Sequence, residues 1–161
     1  MTEKKKNLKP GSKAPALKLP DGLGNKVSLA DYKGKWVVLY FYPKDDTPGC
    51  TTEALDFTAR KAEFEKLNAV ILGVSPDSEK SHCTFAEKHG LSVTLLSDVE
   101  KKALESYGVW QKKKQYGREY MGVVRTTYLI DPAGKVARMW DKVRVDGHAD
   151  AVLDAIRELV S

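Results

Sequence analysis

Cysteine is scarce in this chain and occurs at only two of its 161 positions, Cys50 and Cys83. Two cysteines do not form the disulfide framework of a small secreted protein, and in a reducing compartment they are more often redox-active or buried than permanently joined. The C-x-x-C pair of dithiol-disulfide oxidoreductases is also missing, because Thr51, Thr52 and Glu53 follow Cys50. This spacing argues against that class of enzyme.

Long apolar segments are missing as well. No run is long enough to cross a bilayer, and residues 1–7 show no apolar stretch after their lysines, as a secretory signal would. We therefore expect a cytoplasmic protein that does not contact membranes. A length of 161 residues with 42% hydrophobic composition and no internal repeat predicts one domain over residues 1–161, with residues 1–10 as a polar tail.

Acidic residues are outnumbered, with 22 Asp and Glu against 27 Lys and Arg, which gives a net charge of +5. The basic runs at residues 4–6 and 112–114 raise the possibility of nucleic-acid binding. They lack interleaved aromatic residues and belong to no nucleic-acid-binding motif. We interpret them as solvated surface and expect no nucleic-acid partner.

Paired metal-ligand spacings are absent too. A binding protein with a metal site would have to combine the residues Cys50, Cys83, His82, His89 and His148, whose separations match no established ligand pattern. We expect these histidines to face solvent or cap helices, and we expect neither a metal nor a cofactor.

What the sequence does contain is a reactive-looking segment at residues 40–53. The apolar run of residues 36–42 predicts a strand buried on both faces, which Pro43 ends. Thr47 is then a suitable N-cap and Pro48 a suitable first helical residue, which places Cys50 in the first turn. Unpaired N–H groups and the helix dipole there favour a thiolate, although one helix terminus is not enough and a further positive group is required.

The remaining pattern predicts an α/β fold. A helix over about 47–67 joins the first strand to a second apolar strand at 69–74, and such a crossover makes the two strands parallel. Strands at 126–130 and 136–140 flank a Pro-Ala-Gly turn and predict an antiparallel hairpin. The central sheet is therefore mixed and flanked by helices, with an amphipathic helix at 149–160 and a basic surface loop at 111–120.

The spacing Pro43-x-x-x-Thr47-x-x-Cys50 resembles the active-site motif of peroxiredoxins. The longer string at residues 40–53, with residues 125–131 and 147–148, is similar to the peroxiredoxin Q, or bacterioferritin comigratory protein, branch. This resemblance implies a thioredoxin-like fold and thiol-dependent reduction of hydrogen peroxide or organic hydroperoxides. It also implies these roles: Cys50 as the peroxidatic cysteine, Thr47 as a hydroxyl contacting thiolate and peroxide, Pro43 and Pro48 as residues shaping the pocket, and Arg125 as its cation.

Many members of this branch carry a resolving cysteine five residues after the first, where this chain has Leu55. Cys83 is the remaining candidate for an intramolecular disulfide, with thioredoxin or a similar thiol as reductant. The alternative is a one-cysteine peroxidase resolved by an external thiol, with Cys83 structural. Glu53 lies one helical turn after Cys50 and is expected to orient Arg125 through a bidentate contact. Relatives of this branch suggest a monomer.

Overall fold

The computed structural model describes residues 8–161, so most of the predicted polar tail lies outside the described residues. The strands are β1 (Lys18–Pro20), β2 (Lys26–Ser28), β3 (Trp36–Phe41), β4 (Ala69–Ser75), β5 (Thr94–Ser97), β6 (Trp110–Gln115), β7 (Arg118–Val123), β8 (Thr126–Ile130) and β9 (Val136–Trp140). The α-helices are α1 (Pro48–Ala59), α2 (Lys61–Lys66), α3 (Glu79–His89), α4 (Lys102–Ser106) and α5 (His148–Val160).

The central sheet has the order β5-β4-β3-β8-β9. Strand β3 pairs in parallel with β4, and β4 in parallel with β5. On its other side β3 pairs antiparallel with β8, which forms the predicted hairpin with β9. The predicted mixed sheet is therefore confirmed.

Strand β3 is apolar throughout because it lies in the middle of the sheet with both faces covered. Val38 and Tyr40 belong to the core under α1, α3 and α5, and Val37 and Leu39 belong to a second core on the opposite face. All four side chains are at most 2% exposed. Because both faces of β3 are packed, the end of this strand has a fixed position, and so has the start of the loop that leads to Cys50.

The predicted helix over 47–67 is wrong as a continuous element. Arg60 leaves helical geometry, with φ −106° and ψ 7°, and separates α1 from α2. No proline or glycine marks the break. It occurs where the Arg60 side chain reaches Asp150 of α5, with Nε 2.6 Å from Oδ1.

The predicted basic loop at 111–120 is also wrong, because β6 and β7 form an antiparallel hairpin there. Tyr116 and Gly117 occupy its two-residue turn with φ of 53° and 77°, which is the geometry of a type I′ turn. The exposed residues of both strands are mostly polar, so hydrophobic alternation does not reveal them. Within residues 8–161 no helix has both the length and the apolar character required to cross a membrane.

Candidate active site

Cys50 lies where the chain turns from the end of β3 into α1. Thr47 is the N-cap residue, with extended backbone angles, and Pro48 opens the helix. The Thr47 hydroxyl does not cap the helix; it donates to the carbonyl oxygen of Lys44 at 2.8 Å. Cys50 is the third residue of α1 and is only 1% exposed. The thiol therefore sits at a helix start but is sheltered from bulk water.

Arg125 lies against this thiol, with Nη2 3.4 Å from the Cys50 sulfur. The contact follows from the sheet: Arg125 directly precedes β8, whose first residue Thr126 pairs with Phe41 at the end of β3. Antiparallel pairing thus brings the start of β8 to the end of the strand that leads to Cys50. The positive group required by the helix-terminus argument is present.

Glu53 accepts a hydrogen bond from the other terminal nitrogen of the Arg125 guanidinium, with Nη1 2.6 Å from Oε1. The expected bidentate contact is wrong, because Nη2 of Arg125 is directed at the Cys50 sulfur instead. Oε2 of Glu53 is buried and has no hydrogen-bond partner among residues 8–161. Arg125 therefore bridges one carboxylate oxygen and the thiol.

Burial raises the pKa of Glu53 to about 7, although the neighbouring Arg125 charge acts in the opposite direction. Burial alone would lower the pKa of Arg125, but Glu53 and Cys50 raise it above its ordinary value. Glu53 thus exchanges a proton near neutral pH while Arg125 stays charged.

Tyr40 is a second buried polar group at the site. Its hydroxyl has no hydrogen-bond partner in the described part of the chain, and burial, Glu53 and Cys50 raise its pKa well above the ordinary value. Gly73 of the adjacent strand β4 makes room for the ring, because a Cβ there would come within 2.7 Å of it. Tyr40 therefore stays neutral.

The hairpin β6–β7 contributes a lysine that the sequence interpretation missed. Lys113 is half-buried and donates to the carbonyl oxygen of Val123 at 2.9 Å, two residues before Arg125. Burial and the Arg125 charge lower the pKa of Lys113, whereas Cys50 raises it. Lys112 and Lys114, its neighbours, are exposed as predicted.

The histidines were predicted to face solvent or cap helices, which is wrong for two of the three. His148 is buried between Phe57 and Trp140, with Nε2 2.8 Å from the Thr127 hydroxyl. Burial, with a smaller contribution from Arg125, lowers the pKa of His148 to about 4. His82 is 1% exposed and contacts the Asp45 carboxylate and the carbonyl oxygen of Leu96.

The residues of the alternative metal site do not come together. His89 contacts Asp46, His148 contacts Thr127, and Cys83 contacts Glu87. Among residues 8–161, the group with metal-like ligand spacing is Asp45, Asp77 and His82, whose ligand atoms all lie within 4.8 Å of one another. The side chains of Asp45 and His82 are hydrogen-bonded to each other, and that of Asp77 to Ser75.

Cys83 lies on α3, away from the Arg125 contact. Both thiols are free. Cys83 is partly exposed and lines a cavity of about 330 Å³ together with Asp21, Gly22 and Leu23. Leu55, at the position of the resolving cysteine in many relatives, is an exposed residue of α1, and Pro43 is half-buried beyond the end of β3.

Comparison with known proteins agrees with this geometry. The model of the AhpC/TSA family matches residues 10–139. Peroxiredoxin Bcp of Bacillus subtilis is 51% identical over 149 residues, covering 92% of this chain and 95% of that protein. Peroxiredoxin Bcp of Xanthomonas campestris is 48% identical over 134 residues, covering 83% and 84%.

Solved structures give the same result. Bacterioferritin comigratory protein of Xanthomonas campestris, whose alkyl peroxide reduction activity was studied in trapped intermediate and ligand complexes, superposes with a TM-score of 0.86 at 46% identity, covering 90% of this chain and 92% of that one. A cysteine-to-serine mutant of Xylella fastidiosa PrxQ superposes with a TM-score of 0.92 at 36% identity, covering 97% and 99%.

A helix-terminal thiol held against an arginine on a thioredoxin-like sheet defines a thiol peroxidase. The chain belongs to the AhpC/TSA family and, within it, to the Bcp or PrxQ peroxiredoxins.

Proposed function

We propose that this peroxiredoxin reduces hydrogen peroxide and organic hydroperoxides through a sulfenic acid at Cys50. The 3.4 Å contact between Arg125 and the Cys50 sulfur carries the proposal, because a fixed positive charge beside a sheltered thiol favours the nucleophilic thiolate. The alkyl peroxide reduction studied in the Xanthomonas campestris relative supports organic hydroperoxides as a substrate class.

In the first step the Cys50 thiolate attacks one peroxide oxygen and the O–O bond breaks. The second oxygen leaves as hydroxide or alkoxide and takes up a proton, and the sulfur is oxidised to a sulfenic acid. Arg125 and the N–H groups of the first turn of α1 stabilise the negative charge that develops on the leaving oxygen.

Thr47 orients the peroxide. Its hydroxyl proton is donated to the Lys44 carbonyl, so the oxygen offers its lone pairs toward a peroxide O–H. Pro43 and Pro48 shape the two ends of this loop. Glu53 acts as a positioning residue, since it holds Arg125 through one nitrogen and leaves the other for sulfur and substrate.

Cys83 then resolves the sulfenic acid. Its thiolate attacks the Cys50 sulfur, the S–O bond breaks, water leaves and a disulfide forms, which a thioredoxin-type dithiol reduces to restore both thiols. A disulfide requires Cα atoms within about 7 Å, so buried Cys50 and Cys83 on a separate helix meet only after local unwinding of α1, α3 or both.

A second candidate is a one-cysteine cycle with an external thiol. The location of Cys83 in a separate cavity favours it, because an unrearranged α3 leaves the sulfenic acid without an internal partner. We favour the two-cysteine cycle, because Cys83 is the only other cysteine in the chain and so the only possible internal partner of Cys50. We further propose that the protein is a monomer and is located in the cytoplasm.

The test is peroxide-dependent turnover with thioredoxin, thioredoxin reductase and NADPH, using hydrogen peroxide and cumene hydroperoxide. Cys50→Ser abolishes turnover with every reductant. Cys83→Ser abolishes turnover with thioredoxin but keeps it with dithiothreitol. Full thioredoxin-driven turnover of Cys83→Ser would replace the two-cysteine cycle with the external-thiol cycle, and full turnover of Cys50→Ser would contradict the peroxidase assignment.

A further inference from the structure

Asp45 is a buried carboxylate five residues before Cys50, and its contacts take no part in the chemistry proposed above. Its Oδ1 accepts the Tyr42 hydroxyl at 2.6 Å. Its Oδ2 accepts the Ser81 hydroxyl at 2.7 Å and lies 2.7 Å from Nδ1 of His82. Both oxygens of this buried carboxylate therefore have hydrogen-bond partners, as a buried polar group requires.

His82 is the residue of α3 that immediately precedes Cys83. Its Nε2 lies 2.9 Å from the carbonyl oxygen of Leu96, which can only accept, so Nε2 carries a proton. Its Nδ1 lies 2.7 Å from Oδ2 of Asp45. His82 is thus hydrogen-bonded through both ring nitrogens, and the side chains of His82 and Asp45 are at most 3% exposed.

Further contacts connect the loop that contains Asp45 and Asp46 to α3 and to the residues just before it. The backbone N–H of Asp45 donates to Oδ2 of Asp77 at 2.8 Å, just before α3. Asp46 contacts the other end of α3, at 2.7 Å from Lys88 and 2.9 Å from His89. The loop that positions Cys50 is therefore held to the helix that carries Cys83, through the buried Asp45–His82 hydrogen bond at one end and the more exposed Asp46 contacts at the other.

We propose that Asp45 and His82 are a positioning pair that holds α3 against the Cys50 loop in the reduced enzyme, and that separating them limits disulfide formation. The inference rests on the proposed role of Cys83 as resolver. Because His82 and Cys83 are adjacent, moving Cys83 toward Cys50 displaces the His82 ring from Asp45 and Leu96. The pair therefore sets how long the sulfenic acid persists and how often a second peroxide oxidises it to sulfinic acid.

The test follows one turnover of His82→Gln. Reduced protein is mixed with one equivalent of hydrogen peroxide, quenched with an alkylating agent at successive times, and analysed by intact mass and peptide mapping. Glutamine cannot reproduce the contacts of both ring nitrogens with Asp45 and Leu96, so the open state becomes about tenfold more populated and the Cys50–Cys83 disulfide forms about tenfold faster. With excess peroxide, the sulfinic acid yield falls accordingly.

The matched control is Glu79→Gln, an exposed residue of the same helix outside the contacts with the Cys50 loop, and it keeps the wild-type rate of disulfide formation. Ser81→Ala provides a milder variant should His82→Gln fail to fold: it removes one donor from Asp45 and accelerates the same step by a smaller factor. Nitrogen NMR of His82 adds a measurement that a simple packing role would not change. The chemical shifts of both ring nitrogens should differ between the reduced and the disulfide form, because the ring leaves Asp45 and Leu96.

The outcomes separate the two proposals. A disulfide that forms at the wild-type rate in folded His82→Gln, or in Ser81→Ala if His82→Gln does not fold, overturns the positioning pair and leaves the peroxidase cycle intact. Ring-nitrogen chemical shifts of His82 that stay the same in the disulfide form do the same. A wild-type protein that forms no Cys50–Cys83 disulfide overturns the resolver assignment and this inference with it.

Discussion

Arg125 and Cys50 are 75 positions apart in the chain, yet Nη2 of the arginine lies 3.4 Å from the cysteine sulfur. The contact depends on the antiparallel pairing of β8 with β3, which aligns the residue before one strand with the loop after the other. The pairing of β8 with β3 therefore positions the Arg125 guanidinium, and the start of α1 positions the Cys50 thiol.

Replacing Arg125 by alanine removes the charge beside the thiol and a donor to the leaving oxygen. We expect the rate of Cys50 oxidation by hydrogen peroxide to fall by about 10² to 10³-fold, as for loss of one donor in an oxyanion site. Stopped-flow measurement of peroxide consumption checks this value. Arg138→Ala, which removes an exposed pair with Glu158, is the control and keeps the wild-type rate; an equally fast Arg125→Ala enzyme would remove Arg125 from the site.

Gly49→Ala should slow the oxidation of Cys50 without lowering the stability of the fold. A Cβ at Gly49 would lie 3.1 Å from Nη2 of Arg125, so the guanidinium must shift by a few tenths of an ångström. Alanine is the better helix former by about 1 kcal/mol, so urea denaturation should show stability that is equal or higher. The rate of Cys50 oxidation should nevertheless fall several-fold. A variant that is as fast as the wild type would mean that the exact position of Arg125 is unimportant.

Glu53→Gln should change how stability depends on pH. Burial raises the pKa of Glu53 from 4.5 to about 7 in the folded protein, so between these values the folded state binds more protons than the unfolded state. Rising pH therefore destabilises the wild type through this group, by up to about 3 kcal/mol. Relative to wild type, Glu53→Gln should become progressively more stable from pH 4.5 to 7 in urea denaturation of the reduced protein. A Glu53→Gln profile parallel to wild type would contradict the raised pKa.

His148→Gln should change how stability depends on pH between about pH 4 and 6.5, in the opposite direction to Glu53→Gln. The pKa of His148 is lowered from 6.5 to about 4, so the unfolded state binds more protons between these values. The stability contributed by the neutral ring is complete above pH 6.5 and is lost as pH falls toward 4, by up to about 3 kcal/mol. Compared with wild type, His148→Gln should lose less stability over that interval. Equal losses for wild type and His148→Gln would show that His148 does not resist protonation.

The local part of the site could be predicted from sequence because its signals are local. The apolar run ending at Pro43 and the Thr47-Pro48 helix start place Cys50 without any long-range information. The contact with Arg125 could not be derived this way, because it depends on which strand pairs with β3. For that contact the sequence offered only a family resemblance.

The parts of the structure that the sequence did not predict share a physical cause. They contain polar residues, and tertiary contacts decide whether such residues are buried. His82 belongs to the buried face of α3 together with Phe85, a three-residue spacing that could have indicated it, but its acceptors Asp45 and Leu96 come from other elements. The β6–β7 hairpin was hidden by its polar composition, and its Tyr116-Gly117 turn is the signal that could have found it. Lys113 was missed with it.

The most direct test of the account is the mass of the fully reduced protein after one equivalent of hydrogen peroxide, with peptide mapping. We predict the loss of two hydrogens and a cross-link between Cys50 and Cys83, reached through a transient gain of one oxygen at Cys50. A stable gain of oxygen at Cys50 without a cross-link would preserve the peroxidase and contradict the role of Cys83. A Cys50 that remains an unmodified thiol would contradict the central claim that this residue is the peroxide-reducing nucleophile.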